Sequence, residues 1–380
     1  MGGAELMLSR LVKSMDKKRF ENVVVSLTTL GLIGAGLRDQ GIQVFTLGMR
    51  RGFPNPLGMW RLFLLLHKQR PRILQTWLYH GDLLGSIMGM IVGIPIIVWN
   101  IRCADMVMAH YPLLSRLVRR VLVRLSAAPD AVVVNSESGK KFHEGLGYYP
   151  RMWKVIPNGI DLDQFCPNLS ARGKLRDKLG LSNKDILIGM IARFDPMKDH
   201  RNFLLAARSL LATYPELHFV LVGHYVDRDN PALRDLIETL GIGANVHLLG
   251  ERINVPMFMQ GLDIVTSSSA FGEGFPNVIA EAMACGVPCV VTNVGDSAWI
   301  VESTGRVVPP RDPDELAKAW RELIEIGEES RHKLGLFARQ RIQEKFDLKD
   351  IVVKYEECYK DLARQEQRFY AKKQSGFWKW

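Results

Sequence analysis

Residues 263–293 read DIVTSSSAFGEGFPNVIAEAMACGVPCVVTN, and this stretch decides the fold of the chain. Two apolar runs, DIVTSS at 263–268 and PCVVTN at 288–293, enclose a segment with a helical pattern. Strands joined through a helix are parallel neighbours, because a parallel connection needs a crossover of this kind. The stretch therefore predicts a strand–helix–strand unit of a parallel sheet.

The same alternation of strand-like runs and helical patterns continues toward the N-terminus. Further strand-like runs lie at 22–27, 42–47, 72–77, 95–100, 131–136, 154–159, 186–191, 218–223 and 246–250. Helical patterns between them include 5–14, 57–68, 83–92 and 113–126, and a polar stretch near 161–184 separates two series. This order predicts an α/β protein with two Rossmann-like, doubly wound parallel-sheet domains that face a central cleft.

We expect four segments along the chain. Residues 1–164 form an N-terminal domain, and residues 165–345 form a C-terminal domain. Residues 346–366 have a long helical pattern, and 367–380 form a basic aromatic tail. The uncharged run 83–101 is split by Gly93-Ile94-Pro95, which favours a buried helix and a buried strand over a membrane span.

Composition excludes several classes of protein. The chain has 380 residues, of which 47% are hydrophobic and 24% charged, as in ordinary globular proteins and unlike disordered, collagenous or coiled-coil chains. Five cysteines without a C-x-x-C pair indicate reduced thiols and no zinc site. The start, MGGAE, lacks the basic and apolar regions of a secretory signal, so we expect a cytoplasmic protein.

The positive charge is concentrated in the first part of the chain. Residues 1–165 hold 21 Lys and Arg against 11 Asp and Glu, whereas the remainder holds 29 of each, so the net charge of +10 arises entirely there. One face of the segment 113–126 carries four arginines, namely Arg116, Arg119, Arg120 and Arg124. These features and the end KKQSGFWKW favour peripheral attachment to an anionic membrane, although ordinary solvated helices remain the alternative. A nucleic acid partner would explain the charge but not the acidic motif described next.

The segment 272–293 contains the strongest candidate site. Pro276 has the position of a first helical residue, which leaves free backbone amides in the loop Gly274, Phe275, Pro276 and Asn277. Such a helix start binds anions, and Glu273 before it and Glu281 on the helix would accept hydrogen bonds from hydroxyls. A ligand with phosphate in the middle and hydroxyls at both ends, such as a nucleotide sugar, matches this arrangement. The alternative is a pair of solvated glutamates, which fits poorly with the apolar context AMACG after Glu281.

Other candidates follow strand ends. Arg193 and Lys198 come after the run 186–191 and suit a diphosphate, unless they are merely exposed loop cations. His80 follows the run 72–77 and Arg102 follows 95–100, and Gly3 in GGAE would let the backbone approach a phosphate. A metal-binding role for the D-x-D pattern at Asp227 and Asp229 is less favoured than a solvated turn.

With these motifs in place, the chain resembles the family-4 retaining glycosyltransferases of the GT-B fold. The resemblance rests on E-x7-E at Glu273 and Glu281, on Arg193 with Lys198, on GGAE, on the His80 motif and on VIPNGID at 155–161. It implies that residues 1–164 form the acceptor-side domain, that residues 165–345 bind the nucleotide sugar, and that the helix 346–366 crosses back to the N-terminal domain. It implies that Glu273 contacts the donor sugar and Glu281 the ribose. It implies that Arg193 and Lys198 stabilise the departing diphosphate, aided by Gly3 and the 274–277 amides, and that His80 lies beside the sugar and acceptor.

The resemblance also implies a reaction and its requirements. A sugar would pass from a nucleoside diphosphate sugar to a glycan or lipid-linked acceptor in polysaccharide or glycolipid synthesis, without metal or cofactor. A nucleotide-sugar 2-epimerase and an inactive nucleotide-sugar-binding protein remain rival hypotheses. In the family a strand precedes the Gly-Gly loop, but here Met1 directly precedes Gly2, so we expect either a first sheet without that strand or a start further upstream.

Overall fold

The computed structural model describes residues 2–50, 55–104, 113–252 and 254–374. The chain divides into two compact units. Unit 1 comprises the residues up to Gly159 together with those from Leu348 onward, and unit 2 comprises Ile160–Asp347. The boundaries of unit 2, at Ile160 and Asp347, therefore lie within a few residues of the boundaries at 164 and 346 that the sequence predicts.

Helices and strands alternate along the described residues. The strands are β1 (Val23–Ser26), β2 (Gln43–Thr46), β3 (Ile73–Trp77), β4 (Ile96–Ile101), β5 (Ala131–Val134), β6 (Trp153–Val155), β7 (Leu187–Ile191), β8 (His218–Val222), β9 (Val246–Leu248), β10 (Ile264–Ser267), β11 (Cys289–Thr292) and β12 (Arg306–Val308). The helices are α1 (Gly3–Ser14), α2 (Gly31–Arg38), α3 (Pro56–Gln69), α4 (Leu78–Val92), α5 (Leu113–Leu125), α6 (Glu137–Gly145), α7 (Leu169–Leu179), α8 (His200–Leu211), α9 (Pro231–Leu240), α10 (Val255–Gly261), α11 (Asn277–Ala284), α12 (Ser297–Val301), α13 (Pro313–Glu325), α14 (Gly327–Phe346) and α15 (Leu348–Gln374).

The strands of unit 1 form two separate parallel sheets. One sheet is the pair β1–β2, and the other has the order β3-β4-β5-β6. Every residue of β4 and β5 is buried, whereas all four residues of β1 are only half-buried. Within the described part of the chain, β1 pairs only with β2 and β3 only with β4. The described strands of unit 1 therefore form two sheets rather than one continuous sheet.

Helices cover both faces of the four-stranded sheet. On one face, Met7 of α1 and Tyr355 of α15 pack against Val98 and Val133. On the other face, Leu122 of α5 belongs to an apolar cluster that also contains buried residues of β4 and β5. Burial on both faces explains why these strands are continuous apolar runs rather than alternating ones.

The uncharged run at 83–101 forms a helix and a strand, as the sequence predicts. It comprises most of α4 and all of β4, and Gly93 ends the helix in the left-handed conformation with φ 77°. Glycine adopts this conformation without the steric cost that a Cβ would bring. No helix among the described residues is both long enough and apolar enough to cross a membrane.

Unit 2 contains one six-stranded parallel sheet in the order β12-β11-β10-β7-β8-β9. The chain builds this sheet outward from β7 in one direction and then from β10 in the other, so the order reverses between these two strands. In open α/β sheets, ligands bind outside the carboxyl ends of the strands at such a switch point. The fold therefore directs attention to the residues that follow β7 and β10.

Sequence reasoning missed one strand and placed one helix boundary slightly too early. The strand β12 was not predicted, because its three residues give too short an apolar run. The helix predicted at 346–366 is present over most of its length as α15, but it begins at Leu348 and continues to Gln374. Asp347, with an extended ψ of 129°, separates it from α14, which ends at Phe346. At this break the amide of Ile160 donates to the carbonyl of Phe346 at 2.8 Å. The first residues of the predicted tail, 367–374, belong to α15, and 375–380 lie outside the described residues.

Candidate active site

The loop after β7 carries the two predicted cations. Arg193 lies two residues after the end of the strand, and Lys198 ends a 3-10 turn, Pro196–Lys198. Oδ1 of Asp195 accepts a hydrogen bond from the amide of Met197 at 2.9 Å and so caps this turn. Asp199 then adopts a left-handed φ of 49° and caps α8 through its side chain. The loop is thereby fixed at the carboxyl edge of the sheet.

Lys198 and Glu273 form an ion pair at this edge. The hydroxyl of Ser269 donates to the same carboxylate oxygen, Oε1 of Glu273, at 2.6 Å. Both charged side chains are largely enclosed, since that of Lys198 is 15% exposed and that of Glu273 is 8% exposed. The structure therefore brings together two predicted site residues that belong to different loops.

The backbone around Glu273 is held by the loop after β11. The amide of Asp296 donates to the carbonyl of Gly274 at 2.9 Å. Gly295 has a φ of 62°, and a Cβ built there would lie 2.4 Å from the carbonyl oxygen of Glu273. Only glycine fits at position 295, because both its conformation and this close approach exclude a side chain.

Helix α11 begins one residue later than predicted. Pro276 is its N-cap, with an extended ψ of 99°, and its carbonyl accepts from the amide of Ile279 at 3.2 Å. The prediction that Pro276 is the first helical residue is therefore wrong. Because proline has no amide, the backbone donors of this loop are those of Gly274, Phe275 and Asn277.

The remaining residues of this segment divide between core and site. The ring of Phe275 is 5% exposed and packs against Phe346 with centroids 5.3 Å apart, so only its backbone is available to a ligand. Glu281 lies on α11 and is 8% exposed. This burial is incompatible with the alternative of a solvated glutamate, since carboxylates are rarely buried without a partner.

Arg193 differs from Lys198 in its surroundings. Its side chain is 54% exposed and reaches Oδ2 of Asp195 through Nη2 at 2.9 Å and through Nε at 3.0 Å. An ion pair this exposed contributes little to stability. The guanidinium can therefore leave Asp195 for a ligand at small cost.

The other predicted site residues lie in unit 1. Gly3 is the first residue of α1, and Glu5 lies in the first turn of the same helix. The Glu5 carboxylate reaches back to the helix start, because a Cβ built at Gly2 would lie 2.3 Å from its Oε2. Since an acidic group there already complements the helix N-terminus, the expected affinity of Gly3 for phosphate is weakened.

His80 is the third residue of α4, at the carboxyl edge of the four-stranded sheet. Burial lowers the pKa of its imidazole, so the ring is neutral near pH 7. Its Nε2 is buried and has no hydrogen-bond partner among the described residues. Leu78, two residues earlier, has a left-handed φ of 66°, an unusual conformation for a bulky residue.

Arg102 is engaged within unit 1. It donates to Oδ1 of Asn158 and, at 2.5 Å, to the hydroxyl of Tyr355, and its guanidinium lies 4.5 Å from the centroid of the Trp77 ring. These contacts join the end of β4 to α15. The sequence placed Arg102 among donor-binding residues but gave no sign of this structural role.

Sequence reasoning also missed Ser269, which contacts Glu273 directly. Its signal is the run of three serines, SSS at 267–269, at the end of a buried strand. The D-x-D pattern is a turn, as predicted: Oδ1 of Asp227 accepts from the amide of Asp229 at 3.1 Å, just before α9. No cluster of three or more potential metal ligands occurs among the described residues.

Two family models match the chain. The model described as Glycosyltransferase Family 4 matches residues 1–164, and the model described as Glycosyl transferases group 1 matches residues 171–341. The chain belongs to the family-4, group 1 glycosyltransferases. The segment matched by the group 1 model contains the Lys198–Glu273 pair and α11.

Relatives and solved structures agree with this membership. The glycosyltransferase is 26% identical, over 80% of its length and 78% of the relative, to a UDP-Gal:alpha-D-GlcNAc-diphosphoundecaprenol alpha-1,3-galactosyltransferase of Escherichia coli. It is 29% identical over 64% of its length, and 56% of the relative, to a D-inositol 3-phosphate glycosyltransferase of Geodermatophilus obscurus. The crystal structure of Anabaena HepE in complex with UDP-glucose superposes with a TM-score of 0.81 at 26% identity, covering 95% of this chain and 96% of that one. These likenesses confirm the predicted fold of two Rossmann-like units of the GT-B class.

Proposed function

We propose that this glycosyltransferase transfers a sugar from a nucleoside diphosphate sugar, with retention of anomeric configuration, to a glycan or lipid-linked acceptor. The observation that carries the proposal is the enclosed Lys198–Glu273 pair at the switch point of the unit 2 sheet, beside the start of α11. A cation, a carboxylate and the backbone amides at a helix start, all at one edge, match the diphosphate and hydroxyl groups of such a donor.

Each part of the donor has a candidate partner. Arg193 and Lys198 would bind the diphosphate together with the amides of the 274–277 loop, Glu273 the sugar, and Glu281 the ribose. The likeness to HepE, which was solved with UDP and with UDP-glucose, supports UDP as the nucleotide. We also propose roles in donor binding for Gly3, near which the Glu5 carboxylate lies, and for Arg102, which donates to the Tyr355 hydroxyl.

Leaving-group stabilisation would supply most of the catalysis. Negative charge develops on the diphosphate as the bond to the sugar breaks, and preorganised cations and amides stabilise that charge in an enclosed site. Lys198, Arg193 and the loop amides are such groups, so we propose that the reaction needs neither a metal ion nor a cofactor. Neutral His80 would lie beside the sugar and acceptor.

A lipid-linked acceptor accords with the surface of unit 1. The Escherichia coli relative is named for a diphosphoundecaprenol-linked substrate. Helices α3 and α5 both pack on α4, and these three helices expose large apolar side chains: Leu57, Trp60, Leu64, Met90, Ile91, Leu113, Leu114 and Leu117. We refer to these eight residues as the apolar helix patch. With Arg116, Arg120 and Arg124 on α5, it would place the protein on the cytoplasmic face of an anionic membrane.

The test is a transfer assay with purified protein, UDP-sugars and a polyprenyl-diphosphate glycan acceptor. We expect transfer from one UDP-sugar, an α-linked product from an α-linked donor, and unchanged activity in EDTA. Incubation without acceptor separates the rival reaction, since a 2-epimerase would convert the donor sugar under those conditions. No turnover and no binding of any nucleotide sugar would contradict the proposal.

A further inference from the structure

Three consecutive serines at the carboxyl end of β10 are all buried. Ser267, Ser268 and Ser269 are 5%, 0% and 1% exposed. Buried hydroxyls are costly unless they are hydrogen-bonded. Their partners therefore indicate what this run of serines does.

Two of the hydroxyls contact the two sides of the candidate site. Ser268 donates to the carbonyl oxygen of Lys198 at 2.9 Å, which holds the loop of that cation. Ser269 donates to Oε1 of Glu273 at 2.6 Å, which holds the carboxylate. Adjacent residues of one strand end thus determine the spacing between the Lys198 loop and the Glu273 side chain.

The position of Ser269 is itself fixed. The hydroxyl of Thr292, at the end of β11, donates to the carbonyl of Ser269 at 2.6 Å. The amide of the next residue, Ala270, donates to the carbonyl of Met197 at 2.8 Å. The backbone at Ser269 and Ala270 is therefore fixed between the loop after β7 and the end of β11.

The ion pair makes this hydroxyl important once a donor binds. Lys198 neutralises Glu273 in the structure, but a bound diphosphate would compete for the same ammonium group. Glu273 would then keep its charge at 8% exposure with fewer partners, and an unpaired buried carboxylate is costly. Among the described residues, the Ser269 hydroxyl is the side-chain contact of Glu273 that does not depend on Lys198.

We propose that Ser269 is a positioning residue that holds the Glu273 carboxylate at the donor-sugar site while Lys198 turns to the diphosphate. The inference rests on the proposed function, because it needs a donor with both a diphosphate and a sugar. It differs from that function in predicting an effect specific to the sugar part of the donor.

The experiment compares UDP with a UDP-sugar by isothermal titration calorimetry. The probes are UDP, UDP-glucose, UDP-galactose and UDP-N-acetylglucosamine, and the sugar that wild type binds best is used thereafter. For Ser269→Ala we expect a Kd for the UDP-sugar about tenfold higher, because a charge-assisted hydrogen bond is lost. The Kd for UDP alone should change by less than about twofold. Ser269→Thr keeps the hydroxyl and should restore most of the affinity.

Two further variants separate positioning from general damage. Ser267→Ala deletes a similarly buried hydroxyl at the same strand end. This hydroxyl lies 3.4 Å from that of Ser269, which is a long contact, so the variant should bind the UDP-sugar like wild type. In a Glu273→Gln background, Ser269→Ala should have little further effect, because the two residues act through one interaction.

The outcomes are distinguishable. If wild type binds none of the probes, the proposed use of UDP as the nucleotide fails and the inference with it. If wild type binds but Ser269→Ala weakens UDP and the UDP-sugar equally, Ser269 supports only the loop, and the positioning role is overturned. Equal UDP-sugar affinities in wild type and Ser269→Ala would also overturn it.

Discussion

Lys198 is the residue whose chemistry the structure defines most closely. It is one of two predicted cations after β7, and it alone of the two is enclosed and paired with Glu273. An enclosed cation interacts with a developing charge more strongly than an exposed one, because water screens it less. Arg193 and Lys198 are therefore expected to differ in their contributions.

Lys198→Ala should lower kcat far more than it weakens donor binding. Removal of one preorganised group that stabilises transition-state charge typically costs about 100- to 1000-fold in kcat. Steady-state kinetics with the UDP-sugar measures this effect, and Lys184→Ala, which removes an exposed cation elsewhere in unit 2, is the matched control. A Lys198→Ala enzyme with nearly normal kcat would show that the diphosphate is stabilised by other groups.

Asp82 gives a prediction about stability rather than activity. It is fully buried in α4 and accepts a hydrogen bond from the hydroxyl of Thr76 at 2.6 Å. Burial raises the pKa of its carboxyl group to about 8, so the folded protein keeps it protonated near neutral pH. In the unfolded chain the Asp82 carboxyl group ionises near its ordinary pKa of 3.8. Its contribution to the free energy of unfolding is therefore most favourable below pH 4 and is lost as pH rises toward 8.

Asp82→Asn should therefore be more stable than wild type, by a margin that grows between pH 4 and pH 8. The slope for one such group approaches about 1.4 kcal/mol per pH unit. Urea unfolding across this pH range measures it, with Asp235→Asn as a control because that carboxylate is exposed. A constant difference between Asp82→Asn and wild type would show that Asp82 is ionised in the folded state.

At the residue scale the sequence located the site but not its contacts. Glu273, Glu281 and Lys198 were found because they flank a recognisable loop and helix start. Ser269 and the partners of Arg102 were missed, because their contacts join segments far apart in the chain. No local pattern records that Tyr355 reaches Arg102 across 253 residues.

At the scale of elements, α5 has the most unusual surface. Leu113, Leu114 and Leu117 are exposed by 78%, 36% and 54%, while Val118 and Leu122 on the opposite side are buried. The exposed leucines alternate with arginines, as in helices that lie in a membrane interface. The sequence predicted this helix from its pattern, but only the structure shows which leucines remain exposed.

Replacing Leu113 and Leu117 with Glu should abolish binding to anionic vesicles. Apolar insertion is lost and the basic face is partly neutralised, each cation contributing about 1 kcal/mol near such a surface. Sedimentation with phosphatidylglycerol vesicles, and with phosphatidylcholine vesicles for comparison, measures binding at low salt. Leu336→Glu on α14 is the control, since that leucine is 47% exposed but lies in unit 2. If wild type stays in the supernatant with both vesicles, membrane attachment is refuted.

The element boundaries that sequence reasoning misplaced share one cause. Pro276 caps α11 rather than starting it, and Asp347 separates α14 from α15. In both places a backbone hydrogen bond or a dihedral angle decides the boundary, whereas the apolar pattern is continuous. Strands were predicted more closely because burial on both faces gives each one a compact apolar run.

At the scale of the whole molecule, the two units differ in how their sheets are completed. The interior strands β7 and β10 of unit 2 are paired on both sides, whereas β1 and β3 of unit 1 each pair on one side only among the described residues. Strand edges leave backbone amides without ladder hydrogen bonds. The backbone amides of β1 and β3 should therefore be less protected from hydrogen exchange than those of β7 and β10.

Hydrogen exchange followed by mass spectrometry tests this difference. Peptides covering β1 and β3 should exchange at least about tenfold faster than those covering β7 and β10, because their opening free energies are lower. The edge strands β9 and β12 are internal standards for one-sided pairing. Protection of β1 and β3 equal to that of β7 would show that their unpaired edges are covered in solution.

Each unit also has its own buried clusters, so ligand binding to one unit should stabilise that unit selectively. The clusters containing Phe203 and Phe275 belong to unit 2, and those containing Trp99 and Met7 belong to unit 1.

We expect two calorimetric transitions, because chains with several domains often depart from two-state unfolding. A ligand at 100 times its Kd adds about 2.7 kcal/mol to the stability of the species that binds it. UDP at that excess should raise the transition of unit 2 more than that of unit 1, GDP, ADP and CDP should have smaller effects, and Glu281→Ala should remove the shift. Equal movement of both transitions by UDP, or a full shift in Glu281→Ala, would mean that the α11 site is not the main determinant of nucleotide binding.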